Sequence, residues 1–213
     1  SKGAEGISLF AVPASTAGVT RKWLPTMDQT RHQAEVLLDN VTVSASTLMG
    51  TETQAWPQLK KIISLAKIAV SAEQMGGAQE MLDKTVAFTQ ERVQFGRAIA
   101  SFQAIKHKAA DMMLKCEVAR SAVYYAACVA QEAMSADGDA KIAAELDEAA
   151  AMAKCYCSDT FFFNAGSAIQ MYGGVGFTWE YDPHLYFKRA KSSELFLGNG
   201  AQQRELIAQM LLD

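Results

Sequence analysis

The chain has 213 residues, half of them hydrophobic and one fifth charged, with a formal net charge of -3. That is globular make-up, enough for one packed core and part of another, and it excludes disorder and fibre. Positive and negative residues are interspersed, so there is no basic field for nucleic acid or an anionic membrane surface, and a small ligand or protein partner is expected.

The opening stretch, Ser1 to Phe10, has no charged region followed by an apolar run, hence no signal-peptide pattern. It reads as a cut inside a larger cytoplasmic protein. Short β-type runs are expected at 6–12 and 34–43, bounded by Pro13, Gly18, Pro25 and Gly50. Two or three strands make a poor independent sheet, so residues 1–53 are expected to be the end of a β-domain. From residue 54 the composition turns to Ala, Leu, Met, Glu, Lys and Gln with helical periodicity, and 54–213 is expected to be a separate helical domain. Apolar stretches such as Ile62 to Val70 are broken by Lys and Ser and fall well short of the roughly 20 residues of a membrane span.

Four long helices are expected, near 55–91, 101–133, 139–170 and 178–212, the last broken around Gly198 to Gly200. On the first, the small residues Ala66, Ala69, Ala72 and Gly76 would permit close helix contacts. The second carries a stripe in steps of three and four: Phe102, Ile105, Ala109, Met112, Cys116, Ala119, Val123, Ala126 and Ala130. The third repeats it with Ile142, Leu146, Ala149, Ala153, Tyr156, Thr160 and Phe163, and Asp137-Gly138-Asp139 supplies the turn between them. The economical fold is mainly α: an up-and-down, antiparallel four-helix bundle preceded by a few strands. Cys116, Cys128, Cys155 and Cys157 lie in apolar helical patterns without C-x-x-C spacing and read as buried free thiols in a reducing compartment. His32, His107 and His184 have no zinc-type spacing, so no metal site is expected.

Two segments do not look like simple turns. Arg92-Val93-Gln94-Phe95-Gly96 offers a planar cation for a diphosphate, an amide, and a ring that can stack on adenine. Taken alone it is equally a linker with a surface arginine and a core-plugging phenylalanine. Gln170-Met171-Tyr172-Gly173-Gly174-Val175-Gly176-Phe177 brings glycines that let backbone amides approach an anion, though a glycine C-cap explains one or two of them. A helix precedes it, so it is not a Rossmann turn.

Together these segments make the sequence resemble the acyl-CoA dehydrogenase family over nearly its whole length. The matching signatures are E-R-x-Q-F-G at Glu91 to Gly96, F-Q-x-x-x-H at Phe102 to His107 with Ala110-Asp111-Met112, Q-x-x-G-G-x-G-F at Gln170 to Phe177, and Arg189-Ala190-Lys191. The resemblance implies a subunit of N-terminal helices, middle β-domain and C-terminal four-helix bundle, assembled as a dimer of dimers with FAD at a subunit interface. It implies an acyl-CoA substrate, α,β-desaturation in fatty-acid or sterol side-chain oxidation, and electron-transfer flavoprotein as acceptor. By the same resemblance Arg92, Gln94, Phe95, Gln103, Gln170, Gly173 and Gly174 hold the ADP portion of FAD, several reaching a flavin bound mainly by the neighbouring subunit.

The family's reaction needs a carboxylate to take the α-proton. Most members place it in a Tyr-Glu-Gly-Thr stretch, where this chain reads Phe196-Leu197-Gly198-Asn199. Others place it on the first bundle helix, at a slot that aligns with Ala66. Both slots lack a carboxylate. Glu194, three residues before Leu197 and on its face if helical, and Glu73, about two turns beyond Ala66, are candidate displaced bases. Asn199 and Ala201 stand where the family's cofactor-touching Thr and Gln would be. The leading expectation is a base-less subunit that supplies its ADP clamp to a Glu-bearing partner, as in two-subunit members acting on bulky acyl chains, within a homo- or hetero-tetramer. The alternatives are a homo-oligomer with a displaced base or a flavin monooxygenase-type relative.

Overall fold

The structure, a computed structural model, describes residues 3–212. The chain divides into two compact units, Ser1–Ile63 and Ser64–Asp213.

In the first unit, β1 (Leu9–Phe10) pairs antiparallel with β4 (Leu48–Met49), and β2 (Val19–Leu24) with β3 (Gln33–Leu38) in a register running from Val19↔Leu38 to Leu24↔Gln33. Strand β2 lies outside the runs expected from sequence, because Arg21 and Lys22 interrupt its apolar pattern. Strand β3 stops at Leu38 rather than 43, and Asn40 turns the chain at φ 50°. Both faces of β3 are open, with Val36, Leu37 and Leu38 all exposed. A two-stranded ribbon has no second layer on which to bury them.

The helices are α1 (Trp56–Glu91), α2 (Gln103–Met134), a single turn α3 (Ala140–Ala143), α4 (Leu146–Tyr172), α5 (Pro183–Leu195) and α6 (Gly200–Leu212). Side-chain ties fix their directions within the second unit. Ser64 meets Asp147, Gln74 meets Ser158 and Asn164 donates to the Ala78 carbonyl, so α1 and α4 run parallel. Arg120, reaching back to Gln79 after the short connection 92–102, sets α2 antiparallel to α1, and Glu73–Arg189 with Lys84–Asp182 does the same for α5. The bundle is therefore up-and-down.

Helix α4 is its axis. Buried positions cover most of its circumference, from Leu146 through Lys154, Phe161 and Ala165 to Met171, because its sequence is apolar or small except on a narrow outer stripe through Met152, Asp159 and Gln170. The α2 stripe packs as the sequence implies through Met112, Cys116, Ala119, Val123 and Ala126, ending on Val129 rather than Ala130. Cys116, Cys155 and Cys157 are buried, whereas Cys128 is exposed on the outer face of α2, against expectation. Ala69, Ala72 and Gly76 of α1 also face outward. The close approach on α1 is made by Gly77 and Ala78 instead, because Phe161 lies across Gly77.

Two expected helices are interrupted. Asp139 accepts from the Lys141 and Ile142 amides, capping the single turn α3. Glu145 then leaves helical geometry at ψ 0° while its carboxylate takes the Tyr125 hydroxyl. Pro183 starts α5 later than 178, as proline favours a first turn. Leu197 and Gly198 have φ of 61° and 96°, so α6 begins anew against α4, where Cys155 reaches the Gly200 carbonyl and Arg204 pairs with Asp159.

A Cβ at Gly77 would lie 2.5 Å from the buried Phe161 ring, while one at Gly76 meets nothing within 4 Å. Urea unfolding should therefore show Gly77→Ala destabilised by about 1–3 kcal/mol through overpacking. Gly76→Ala should be stabilised by about 0.4–1 kcal/mol, since alanine narrows the unfolded ensemble.

Candidate functional site

Between α1 and α2 the chain forms a minimal hairpin rather than an irregular loop. Strands β5 (Val93–Gln94) and β6 (Arg97–Ala98) pair as Val93↔Ala98 and Gln94↔Arg97, and the Ile99 amide donates to the Arg92 carbonyl. That leaves the two-residue turn Phe95-Gly96, whose φ values of 55° and 79° belong to the primed turns that match strand twist. Glycine suits its place. Phenylalanine does not, for a bulky side chain at positive φ is strained. Yet Phe95 is 91% exposed, in edge contact with Phe102 at 6.1 Å, so it does not plug the core. The turn presents a large ring to the outside, with Arg92, Gln94 and Gln103 also exposed around it.

At the end of α4, Gly173 adopts φ 67° and ψ -143°, and its N–H donates to the Ile169 carbonyl. The amide read from sequence as an anion donor is thus engaged in capping the helix. What Gly173 and Gly174 contribute is room: a Cβ on either would meet nothing within 4 Å. Gln170 is exposed and its Oε1 accepts from Lys108 Nζ at 2.5 Å.

These two segments share one end of the bundle. Phe88, in the last turn of α1, stacks on Tyr172 at 4.0 Å and 10°, and the Tyr172 hydroxyl donates to the Lys84 carbonyl at 3.1 Å. Lys108, near the start of α2, reaches Gln170 from the other side. A cation, a protruding ring and an uncovered glycine pair together suit a nucleotide diphosphate and its base.

The third candidate region is the turn from α5 to α6. Asn199 caps α6 in a reciprocal box: its Oδ1 accepts from the Gln202 amide at 3.0 Å and its own amide donates to Gln202 Oε1 at 2.9 Å. The Asn199 oxygen is therefore committed to the helix. Leu197 and Ala66 are half-buried hydrocarbon side chains. Because Leu197 is left-handed and lies beyond the last helical residue, Leu195, the expectation that Glu194 shares its helical face fails. Glu194 pairs with Lys191 at 3.0 Å and Glu73 with Arg189 at 2.9 Å, so each carboxylate faces a cation.

Sequence reading missed Lys154, although a lysine amid Ala149 to Thr160 on an otherwise apolar helix was the available signal. It is fully buried, and its ammonium donates to Ser158 Oγ at 2.8 Å and to the Glu194 and Gly198 carbonyls at 3.1 and 3.2 Å. Gln74 bridges Ser158 to Ser193, extending this polar seam across α1, α4 and α5. Burial, only partly offset by Glu194, draws the Lys154 amine down from 10.5 to about 8. Among the described residues, no group of His, Cys, Asp and Glu is placed to hold a metal ion, and no helix is long and apolar enough to cross a membrane.

The family described as acyl-CoA dehydrogenase, C-terminal domain, matches residues 54–212. Acyl-CoA dehydrogenase IpdE2 of Mycolicibacterium smegmatis is 36% identical over 187 residues, covering 87% of this chain and 51% of its own length. Butyryl-CoA dehydrogenase of Megasphaera elsdenii superposes with a TM-score of 0.89 at 31% identity, over 100% of this chain and 53% of that one. A chain from a structure of the electron transferring flavoprotein of Acidaminococcus fermentans gives 0.89 at 32% identity, over 99% and 53%. The chain thus spans about half the length of these relatives.

An NMR titration of the lysine ammonium groups should find Lys154 releasing its proton near pH 8, against about 10.5 for an unperturbed lysine. Its folded pKa is depressed, so between those values the unfolded chain binds more protons. The destabilisation from this charge is complete below pH 8 and is relieved as pH rises toward 10.5.

Proposed function

Because this chain belongs to the acyl-CoA dehydrogenase family, whose members are FAD-dependent, we propose that it serves an enzyme that desaturates an acyl-CoA thioester between its α- and β-carbons. Its own part is to clamp the ADP half of FAD. The observation behind this reading is the convergence, at one end of the bundle, of the exposed Phe95 ring, Arg92 and the uncovered Gly173-Gly174 pair. Arg92 would fork onto the diphosphate, Phe95 would lie against the adenine, and the bare glycines would let the chain approach the ligand closely. Gln94, Gln103 and Gln170 complete the polar rim, with Gln170 held by Lys108. A ring as exposed as Phe95 is well suited to a nucleotide seated mainly on a neighbouring subunit, as in the dimer of dimers that the family resemblance implies.

When bound, FAD supplies the acceptor for the substrate's β-hydride, and the α-proton must go to a carboxylate. Leu197 and Ala66 cannot take it, and Glu73 and Glu194 are held in ion pairs. These features favour a base-less subunit completed by a Glu-bearing partner over a chain with a displaced base. Electrons would leave to an electron-transfer flavoprotein, consistent with the family's reaction.

Arg92→Ala in the full-length protein should weaken FAD binding by about 10- to 100-fold, since a charge-assisted hydrogen-bonded contact contributes about 1.5–3 kcal/mol. The helical circular dichroism should stay unchanged. Flavin content equal to wild type after dialysis would return Arg92 to the role of a surface charge. In dye-linked assays, the full-length protein alone should oxidise acyl-CoA at a negligible rate and gain turnover on mixing with a Glu-bearing partner subunit. Ordinary turnover by the protein alone, abolished by Glu73→Gln or Glu194→Gln, would instead establish a displaced base.

A further inference from the structure

A leucine is held in left-handed backbone at position 197, a conformation that glycine or asparagine would adopt with less strain. Such an outlier persists only where its surroundings over-determine it. The surroundings here are specific. Helix α5 ends at Leu195, which leaves carbonyls of its last turn without helical partners. The Lys154 ammonium takes the Glu194 carbonyl at 3.1 Å and, past the turn, the Gly198 carbonyl at 3.2 Å. Its third proton goes to Ser158 Oγ at 2.8 Å, which accounts for all three donors of the group. Gln203, 1% exposed, donates to the carbonyl between them, that of Leu197, at 3.0 Å. Gly198 makes the packing possible, for its own Cβ position lies 2.5 Å from Gln203 Nε2.

We propose that Lys154 and Gln203 are positioning residues that lock the turn at 197–198 from inside the bundle, and so fix where the side chain at position 197 meets the substrate. This rests on the reading of position 197 as the slot in which the family's base would stand. Both side chains are buried inside the bundle. Both act through main-chain carbonyls, so the lock does not depend on which residue occupies 197. The slot consequently keeps its geometry although its occupant is a leucine, and a carboxylate introduced there arrives already aimed.

The test uses the full-length protein loaded with FAD. Hydrogen exchange of the amides at 195–200 is measured in wild type, in Lys154→Met and in Gln203→Leu, the last being a smaller insult should the buried lysine prove essential for folding. The proposal expects exchange at the turn to accelerate by about 10-fold or more while the amides of α2 keep their wild-type protection. Leu197→Glu is then made alone and combined with Gln203→Leu, and dye-linked acyl-CoA oxidation is followed. Leu197→Glu should turn over, and the added Gln203→Leu should lower kcat by about 100-fold, the effect of a base displaced by about 1 Å. KM and flavin content should move by less than about twofold. Unchanged exchange in both single variants, or an unchanged kcat in the combined one, would overturn the positioning role. If Leu197→Glu retains FAD but does not turn over, it is the reading of position 197 as the base slot that fails, and the exchange rates alone decide the lock.

Discussion

Helix α4 is covered on all but a narrow outer stripe through Met152, Asp159 and Gln170, and the placement of the candidate segments in the second unit follows from that. A helix with so wide an apolar face is stable only when neighbours cover it, and α1, α2, α5 and α6 each lie against it. Up-and-down connectivity then brings the α1–α2 hairpin and the end of α4 to the same end of the bundle, where Phe88 stacks on Tyr172. The convergence of the segments proposed to clamp the nucleotide is a consequence of this packing. Neither loop would form a site alone, since one supplies a ring and a cation while the other supplies bare backbone.

Enclosure by small apolar residues fixes the distance between helices better than their register. The polar groups inside the bundle supply what packing lacks. Asn164 donates to the Ala78 and Met112 carbonyls, tying α4 to α1 and α2 at one level. Gln74, Ser158, Ser193 and Lys154 tie α1, α4 and α5 at another. Burying an ammonium is costly unless every proton has an acceptor, and Lys154 meets that condition with three. Its partners include the backbone of the turn at Leu197, so register and site geometry are set by the same group.

The α2 stripe was legible because its buried residues recur in steps of three and four from Met112 to Ala126, although Met113, Leu114 and Val118 leave apolar groups on the outer face. On α4 the buried face is so wide that the same periodic argument says little, and Lys154 was lost among its alanines and cysteines. Alanine and glycine are equally at home on either side of a helix, so Ala69, Ala72 and Gly76 were assigned to contacts that Gly77 and Ala78 make. The motif residues of the clamp were legible by type, but not their states. No sequence pattern announces that Phe95 is strained outward, that the Gly173 amide is engaged by Ile169, or that Asn199 is a helix cap. Those depend on hydrogen bonds that close only when the helices meet.

The central claim, that Gly174 lines a space kept open for the ADP half of FAD, is tested most directly by filling that space. Gly174 has no unusual φ and a Cβ there would meet no protein atom within 4 Å, so Gly174→Val should fold with a nearly unchanged melting temperature. Equilibrium titration of the full-length apoprotein with FAD, and with ADP as competitor, should then show binding of both lost or weakened by at least about 10-fold. FAD and ADP affinities equal to wild type, in a folded variant, would contradict the account.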